Sequence, residues 1–128
     1  MQQILMIAAG GSLGAIARYG LSMVVYQGTS ETFPWGTLVV NLTGSFLIGA
    51  LVELFDAVIV PAGLRSLITI GVLGAFTTFS TYSLETINLF RDGEIRLAVI
   101  NILVSNVAAL VLVAIGIYSS RILMRFIS

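Results

Sequence analysis

Four stretches of this chain, Ile4 to Tyr26, Phe33 to Phe55, Leu64 to Phe90 and Arg96 to Tyr118, are almost wholly apolar. A helix needs about 20 such residues to cross a hydrocarbon layer about 30 Å thick, and each stretch reaches that length. The connections are short and hold turn and charged residues: Gln27 to Thr32, the segment with Asp56 and Pro61-Ala-Gly63, and Arg91-Asp-Gly-Glu94. The pattern predicts an all-α membrane protein in which residues 1–128 form a single transmembrane domain of four helices. Composition agrees, since 58% of the 128 residues are apolar and 9% are charged, a balance foreign to soluble domains. Met1-Gln-Gln3 carries no basic side chain and Arg18 interrupts the first run, so that run is expected to stay in the mature protein and not to be a cleaved signal.

The polar inventory excludes most chemistry. There is no cysteine and no histidine, which removes disulfides, thiolate metal sites and imidazole catalysis. All six basic residues are arginines, they are scattered, and the net charge is zero, so nothing tracks a phosphate backbone and nucleic acid is not an expected partner. Four helices put both termini on one side. That face carries Arg65, Arg121 and Arg125, while the other carries Arg91 and Arg96, with Arg18 nearer to it. The tally is close to even, so the positive-inside rule sets no orientation. Insertion both ways up, and an antiparallel dual-topology homodimer, are therefore expected.

The third stretch is the anomaly. Gly71 and Gly74 are followed at once by Thr77 and Thr78, which predicts a helix broken near its middle with carbonyl oxygens freed at membrane depth, as transporter sites often have. Beyond the break, Thr77, Thr81 and Glu85 are expected on one helical stripe and Phe76, Phe79 and Tyr82 on another. Hydroxyls in membrane helices commonly bond back to their own i−4 carbonyls, and aromatics at this spacing commonly just pack. The clustering of hydroxyls, glycines and Glu85 within a dozen residues argues for more, although Glu85 near the surface would simply be solvated. Arg18, about four turns into the first helix, either lines a vestibule or snorkels to the interface. The Asn41 amide, and Asn101, Ser105 and Asn106 in the last stretch, need polar partners and serve at least as interhelical glue.

Three segments, Gly14-Ala-Ile-Ala-Arg18-Tyr19, Gly36-Thr-Leu-Val-Val-Asn41-Leu-Thr-Gly44-Ser-Phe46 and Gly71-Val-Leu-Gly74-Ala-Phe-Thr-Thr-Phe-Ser-Thr-Tyr-Ser-Leu-Glu85, together resemble the Fluc, or CrcB, fluoride channel family of bacteria. The resemblance spans all four stretches. It implies an antiparallel homodimer in the bacterial inner membrane, with two fluoride pores that export the ion passively and lower its toxicity. Asn41 is similar to the family's pore asparagine, and Phe79 and Tyr82 occupy its two pore-aromatic positions. Tyr82 stands where phenylalanine is commoner, leaving open whether its ring edge or its hydroxyl meets the ion. Ser80, Thr81 and Glu85 match a polar track beside the rings, and Thr37 and Ser105 match further pore hydroxyls. Ala109 replaces a hydroxyl that some relatives carry one turn beyond Ser105. The backbone carbonyls of Gly74 and Thr77 match positions that hold a central sodium ion between subunits. Arg18 matches the first-helix arginine, for which anion attraction or vestibule structure is the expected role.

Two other classes share parts of this pattern. Small four-helix multidrug exporters are similar in length and also form inverted dimers, but they need a proton-coupled carboxylate facing a cationic drug, and only Glu85 lies deep enough. A non-conducting membrane scaffold is the third. The charge tally gives a direct test of topology: a tag on the C-terminus should be found on both faces of the membrane, and its confinement to one face would contradict dual insertion.

Overall fold

The computed structural model describes residues 1–30 and 32–127; Glu31, in the first connection, lies outside them. Every regular element among the described residues is helical: α1 (Gln2–Gln27), α2 (Trp35–Ala57), α3 (Ala62–Ser66), a π-helical segment (Leu67–Leu73), α4 (Gly74–Phe76), α5 (Phe79–Arg91) and α6 (Ile95–Ile127). By length and composition, four spans can cross a membrane: Gln2–Gln27, Trp35–Ala57, Ala62–Arg91 and Ile95–Phe126. Helices satisfy their own backbone groups, which lipid cannot do. The last helix runs beyond the expected end at Tyr118. Ser119-Ser120-Arg121-Ile-Leu-Met contains no glycine or proline to stop it, and Arg121 Nε bonds Glu53 Oε1 at 2.8 Å while Ser120 Oγ bonds the Ala50 carbonyl at 2.9 Å. These contacts fasten the last turns of α6 to the end of α2.

Glycine sets how closely the helices approach. A methyl group on Gly49 of α2 would overlap the Val113 carbonyl on α6, and one on Gly116 would overlap the Phe46 carbonyl, so these two helices meet backbone to backbone. Gly10 and Gly14 of α1 likewise lie against the Leu67 and Val72 carbonyls of the π-helical segment. Without a hydrophobic driving force between helices in lipid, such close van der Waals packing holds a bundle together. Gln3 Nε2 adds a bond to Ser66 Oγ at 2.8 Å, closing the end that carries both termini. At the opposite end Gly93, with φ 80°, makes the tight turn between α5 and α6, and the Glu94 amide returns to the Leu89 carbonyl at 2.9 Å.

The third span departs from a regular helix in two places. In the π-helical segment the Gly74 amide reaches back five residues to the Thr69 carbonyl, a wider turn than the α-helical one. Then the backbone extends, with ψ 155° at Thr77 and φ −149°, ψ 113° at Thr78. The span bends there, and α5 restarts with Thr78 as its N-cap, its hydroxyl accepting from the Thr81 amide at 3.2 Å. In consequence Thr77 precedes α5, and the stripe expected through Thr77, Thr81 and Glu85 does not exist as one helical row. The aromatic row divides as well: Phe76 is buried at 7% exposure, and Phe79 is 75% exposed.

Gly49→Ala should destabilise the protein by about 1–3 kcal/mol, the usual cost of overpacking. Thermal unfolding in detergent should show a lowered midpoint for this variant and none for Gly11→Ala, whose added methyl meets nothing within 4 Å.

Candidate functional site

At the bend a side chain replaces a lost turn of helix. The Asn41 amide of α2 forms two hydrogen bonds with one residue 37 positions away: the Thr78 amide donates to Asn41 Oδ1 at 2.8 Å, and Asn41 Nδ2 donates to the Thr78 carbonyl at 3.0 Å. The clasp fixes which atom of Asn41 is nitrogen, because only that assignment pairs donor with acceptor in both bonds. It satisfies backbone groups that the bend would otherwise leave bare inside a membrane. One N–H of Asn41 remains beyond the bond to Thr78.

Beside the clasp lies a cavity of about 470 Å³, lined by residues that include Asn41, Gly74, Thr77, Phe79, Tyr82 and Ser105. The Phe79 and Tyr82 rings are 5.3 Å apart at 50°, within the range of tilted aromatic pairs. Six of the expected site residues thus meet in one space. Thr37, Ser80, Thr81, Glu85 and Arg18 are not among its lining residues. Ser80 and Thr81 gather around Thr78 instead, with Thr78 Oγ1 donating to Thr81 Oγ1 at 2.9 Å and standing 3.4 Å from Ser80 Oγ. Arg18 lies half-buried on α1.

Glu85 belongs to a second, smaller cavity of about 210 Å³, shared with Tyr26, Thr32, Pro34, Asn88, Leu89 and Asp92. Thr37 Oγ1 donates to its Oε1 at 2.8 Å, while Oε2 is buried without a partner among the described residues. The space is large enough for several waters, each taking about 30 Å³. Glu85 is not free in solvent, and it lines this smaller cavity while Phe79 and Tyr82 line the larger one.

One contributor, Thr86, was not singled out from the sequence. Thr86, buried, donates to the Tyr82 carbonyl at 2.8 Å and accepts from Asn101 Nδ2 at 2.9 Å, and Ser105 Oγ donates to Asn101 Oδ1 at 3.2 Å. Asn101, at 1% exposure, is thus the hub that ties α6 to α5 behind the cavity. Asn106 Nδ2 bonds the Tyr82 hydroxyl at 3.1 Å. The asparagines of α6 stood out as polar residues in an apolar run, but nothing local paired them with Thr86 or Tyr82. Back-bonding explains other hydroxyls: Thr77 bonds the Leu73 carbonyl at 2.9 Å and Ser83 the Phe79 carbonyl at 2.8 Å.

Asn41→Asp keeps the acceptor of the clasp and removes its donor, setting a carboxylate oxygen against the Thr78 carbonyl. A stability loss of about 1–3 kcal/mol is expected from the unsatisfied group. Thermal unfolding in detergent checks it, and an unchanged midpoint would show the clasp to be dispensable.

Comparison with known proteins agrees with the geometry. Residues 5–117 match the family described as CrcB-like protein, Camphor Resistance (CrcB). A protein of Magnetococcus marinus named fluoride-specific ion channel FluC is 48% identical over 122 residues, covering 94% of this chain and 99% of its own. Proteins of the same name from Salinibacter ruber and Citrifermentans bemidjiense are 53% identical over 116 residues and 49% identical over 124 residues. These alignments cover 91% and 96% of this chain, and 87% and 100% of the relatives. Similarity of this extent along nearly the whole chain leaves one assignment: the protein belongs to the CrcB family.

Proposed function

We propose that this chain is a fluoride-selective ion channel through which fluoride leaves the cell passively, which keeps the cytoplasmic level of a toxic ion low. The observation that carries this reading is the wall of the larger cavity, where weak hydrogen-bond donors stand beside two aromatic rings and none of the described residues lining it is charged. The names borne by relatives at 42–53% identity support the same activity. The chain is a multi-pass protein of the bacterial cell membrane, and it moves an ion and is not an enzyme.

Fluoride is small, strongly hydrated and a strong acceptor, so a pore must replace its lost water with donors. The remaining Asn41 N–H and the hydroxyls of Ser80 and Thr81 are of that kind, the Thr37 and Ser105 hydroxyls join them by turning their single protons away from Glu85 and Asn101, and the positive rims of Phe79 and Tyr82 can face an anion while their bodies pack. A row of weak sites allows exit as well as entry, whereas a full positive charge in the narrow part would trap the ion. Arg18 suits a vestibule that gathers anions. Glu85, bonded to Thr37, suits the mouth of the polar track. A drug exporter would need its carboxylate turned to a cation, and no observation favours that reading.

In a lone chain the cavity would open toward lipid, with Phe79 75% exposed and Asn41 close behind it. Polar groups at that depth require a protein cover. A second copy inserted upside down supplies it, giving an antiparallel homodimer with two pores, and the near-even arginine tally supports such insertion. In this assembly the third span is a broken helix whose Gly74 and Thr77 carbonyls hold a sodium ion between the copies. The hydrogen bonds fit this role. The amides of Thr78 and Thr81, four residues on, are engaged by the Asn41 and Thr78 side chains, so neither carbonyl has its helical partner. A bound sodium ion would supply a fixed positive charge joining the copies.

Fluoride-electrode recording from reconstituted vesicles tests the reading. Wild-type protein should release fluoride rapidly, indifferent to a proton gradient, and should hold back chloride; a flat fluoride trace from well-folded protein would sink it. Phe79→Ile should reduce efflux to the level of empty vesicles without preventing assembly, and unimpaired efflux would remove Phe79 from the pathway.

A further inference from the structure

Tyr82 carries a hydroxyl where a bare ring would suffice to pack, and the structure gives that hydroxyl a defined environment. Its ring is 9% exposed, and its backbone is held by Thr86, which is itself held by Asn101. The one hydrogen bond of Tyr82 Oη among the described residues comes from Asn106 Nδ2, at 3.1 Å. The direction of this bond is settled by a second contact. The same Asn106 nitrogen lies 2.7 Å from the Ile102 carbonyl, and a flipped amide would set oxygen against oxygen there. Asn106 therefore donates and Tyr82 Oη accepts.

Two consequences follow from counting hydrogens. An amide nitrogen has two N–H groups, and Asn106 uses one on Ile102 and one on Tyr82, so it has none left to offer an anion. The phenol has one proton and has not spent it. A phenolic O–H lies close to the ring plane in one of two orientations, so an N–H arriving on one side turns the proton to the other. Tyr82 lines the cavity with Asn41, Phe79 and Ser105.

Building on the channel reading, we propose that Asn106 is a positioning residue that turns the Tyr82 hydroxyl proton toward the permeating anion, making Tyr82 a hydrogen-bond donor of the pore and not only a ring edge. A phenol is a stronger donor than a serine or threonine hydroxyl, and a small anion gains most from it. The pair supplies, from the aromatic position, a donor in the region where Ala109 offers none.

The test is a double-mutant cycle in reconstituted vesicles, with fluoride and chloride fluxes both recorded. Tyr82→Phe and Asn106→Ala should each lower fluoride efflux by about tenfold, the equivalent of one hydrogen bond to an ion. The double variant should fall no further than either single one, and chloride leakage should stay unchanged in all three. Additive losses, or an Asn106→Ala defect that persists in full in the Tyr82→Phe background, would assign Asn106 a separate structural role and overturn the proposal. Fluoride efflux at or above the wild-type rate in Tyr82→Phe would overturn it too, while leaving the channel reading intact. A silent wild-type protein would remove that reading and this one together.

Discussion

The structure turns on the clasp between the Asn41 side chain and the Thr78 backbone. A chain in lipid cannot leave N–H and C=O groups bare, yet the third span extends at Thr77 and Thr78 and so loses helical partners where solvent cannot replace them. One amide side chain from α2 supplies both a donor and an acceptor to Thr78. Around that exchange the other features fall into line. Thr78 is free to cap α5, Phe79 and Tyr82 begin a new helix facing the cavity, and the Gly74 and Thr77 carbonyls are released from their usual bonds.

Close packing makes the clasp geometrically possible. Gly44, three residues after Asn41 on α2, has the Thr77 methyl and the Phe76 ring against the space a side chain would fill, so α2 can approach the bend closely enough for a short amide to reach it. Gly49 and Gly116 hold α2 to α6 further along, and Gly10 and Gly14 bring α1 against the π-helical segment. The glycines therefore govern distances on which the polar contacts depend. A loosened bundle would open hydrogen bonds that tolerate only a few tenths of an ångström.

Much of this was legible in the sequence because its cause is local. The four spans follow from apolar runs, the bend from Gly71, Gly74 and two threonines in succession, and the family resemblance from residues around Asn41 and Phe79. What was not legible depends on partners far apart in the chain. Nothing near Asn41 says that it meets Thr78, nothing near Asn101 names Thr86, and the divided environments of Glu85 and Tyr82 emerge only once α2 and α6 are packed against α5. The helical stripe from Thr77 to Glu85 failed for a simple reason. Periodicity holds only within an unbroken helix, and it was extended across the very residues that interrupt it.

The π-helical turn from Leu67 to Leu73 bears on how relatives of this chain are compared. A wide turn takes in an extra residue without a matching gain in length along the axis, so position in the chain and depth in the membrane fall out of step there. A relative with a regular helix at that point would reach the same depth with one residue fewer. Equivalence beyond it is better judged from the Thr78 cap and the asparagine that grips it than from residue counting.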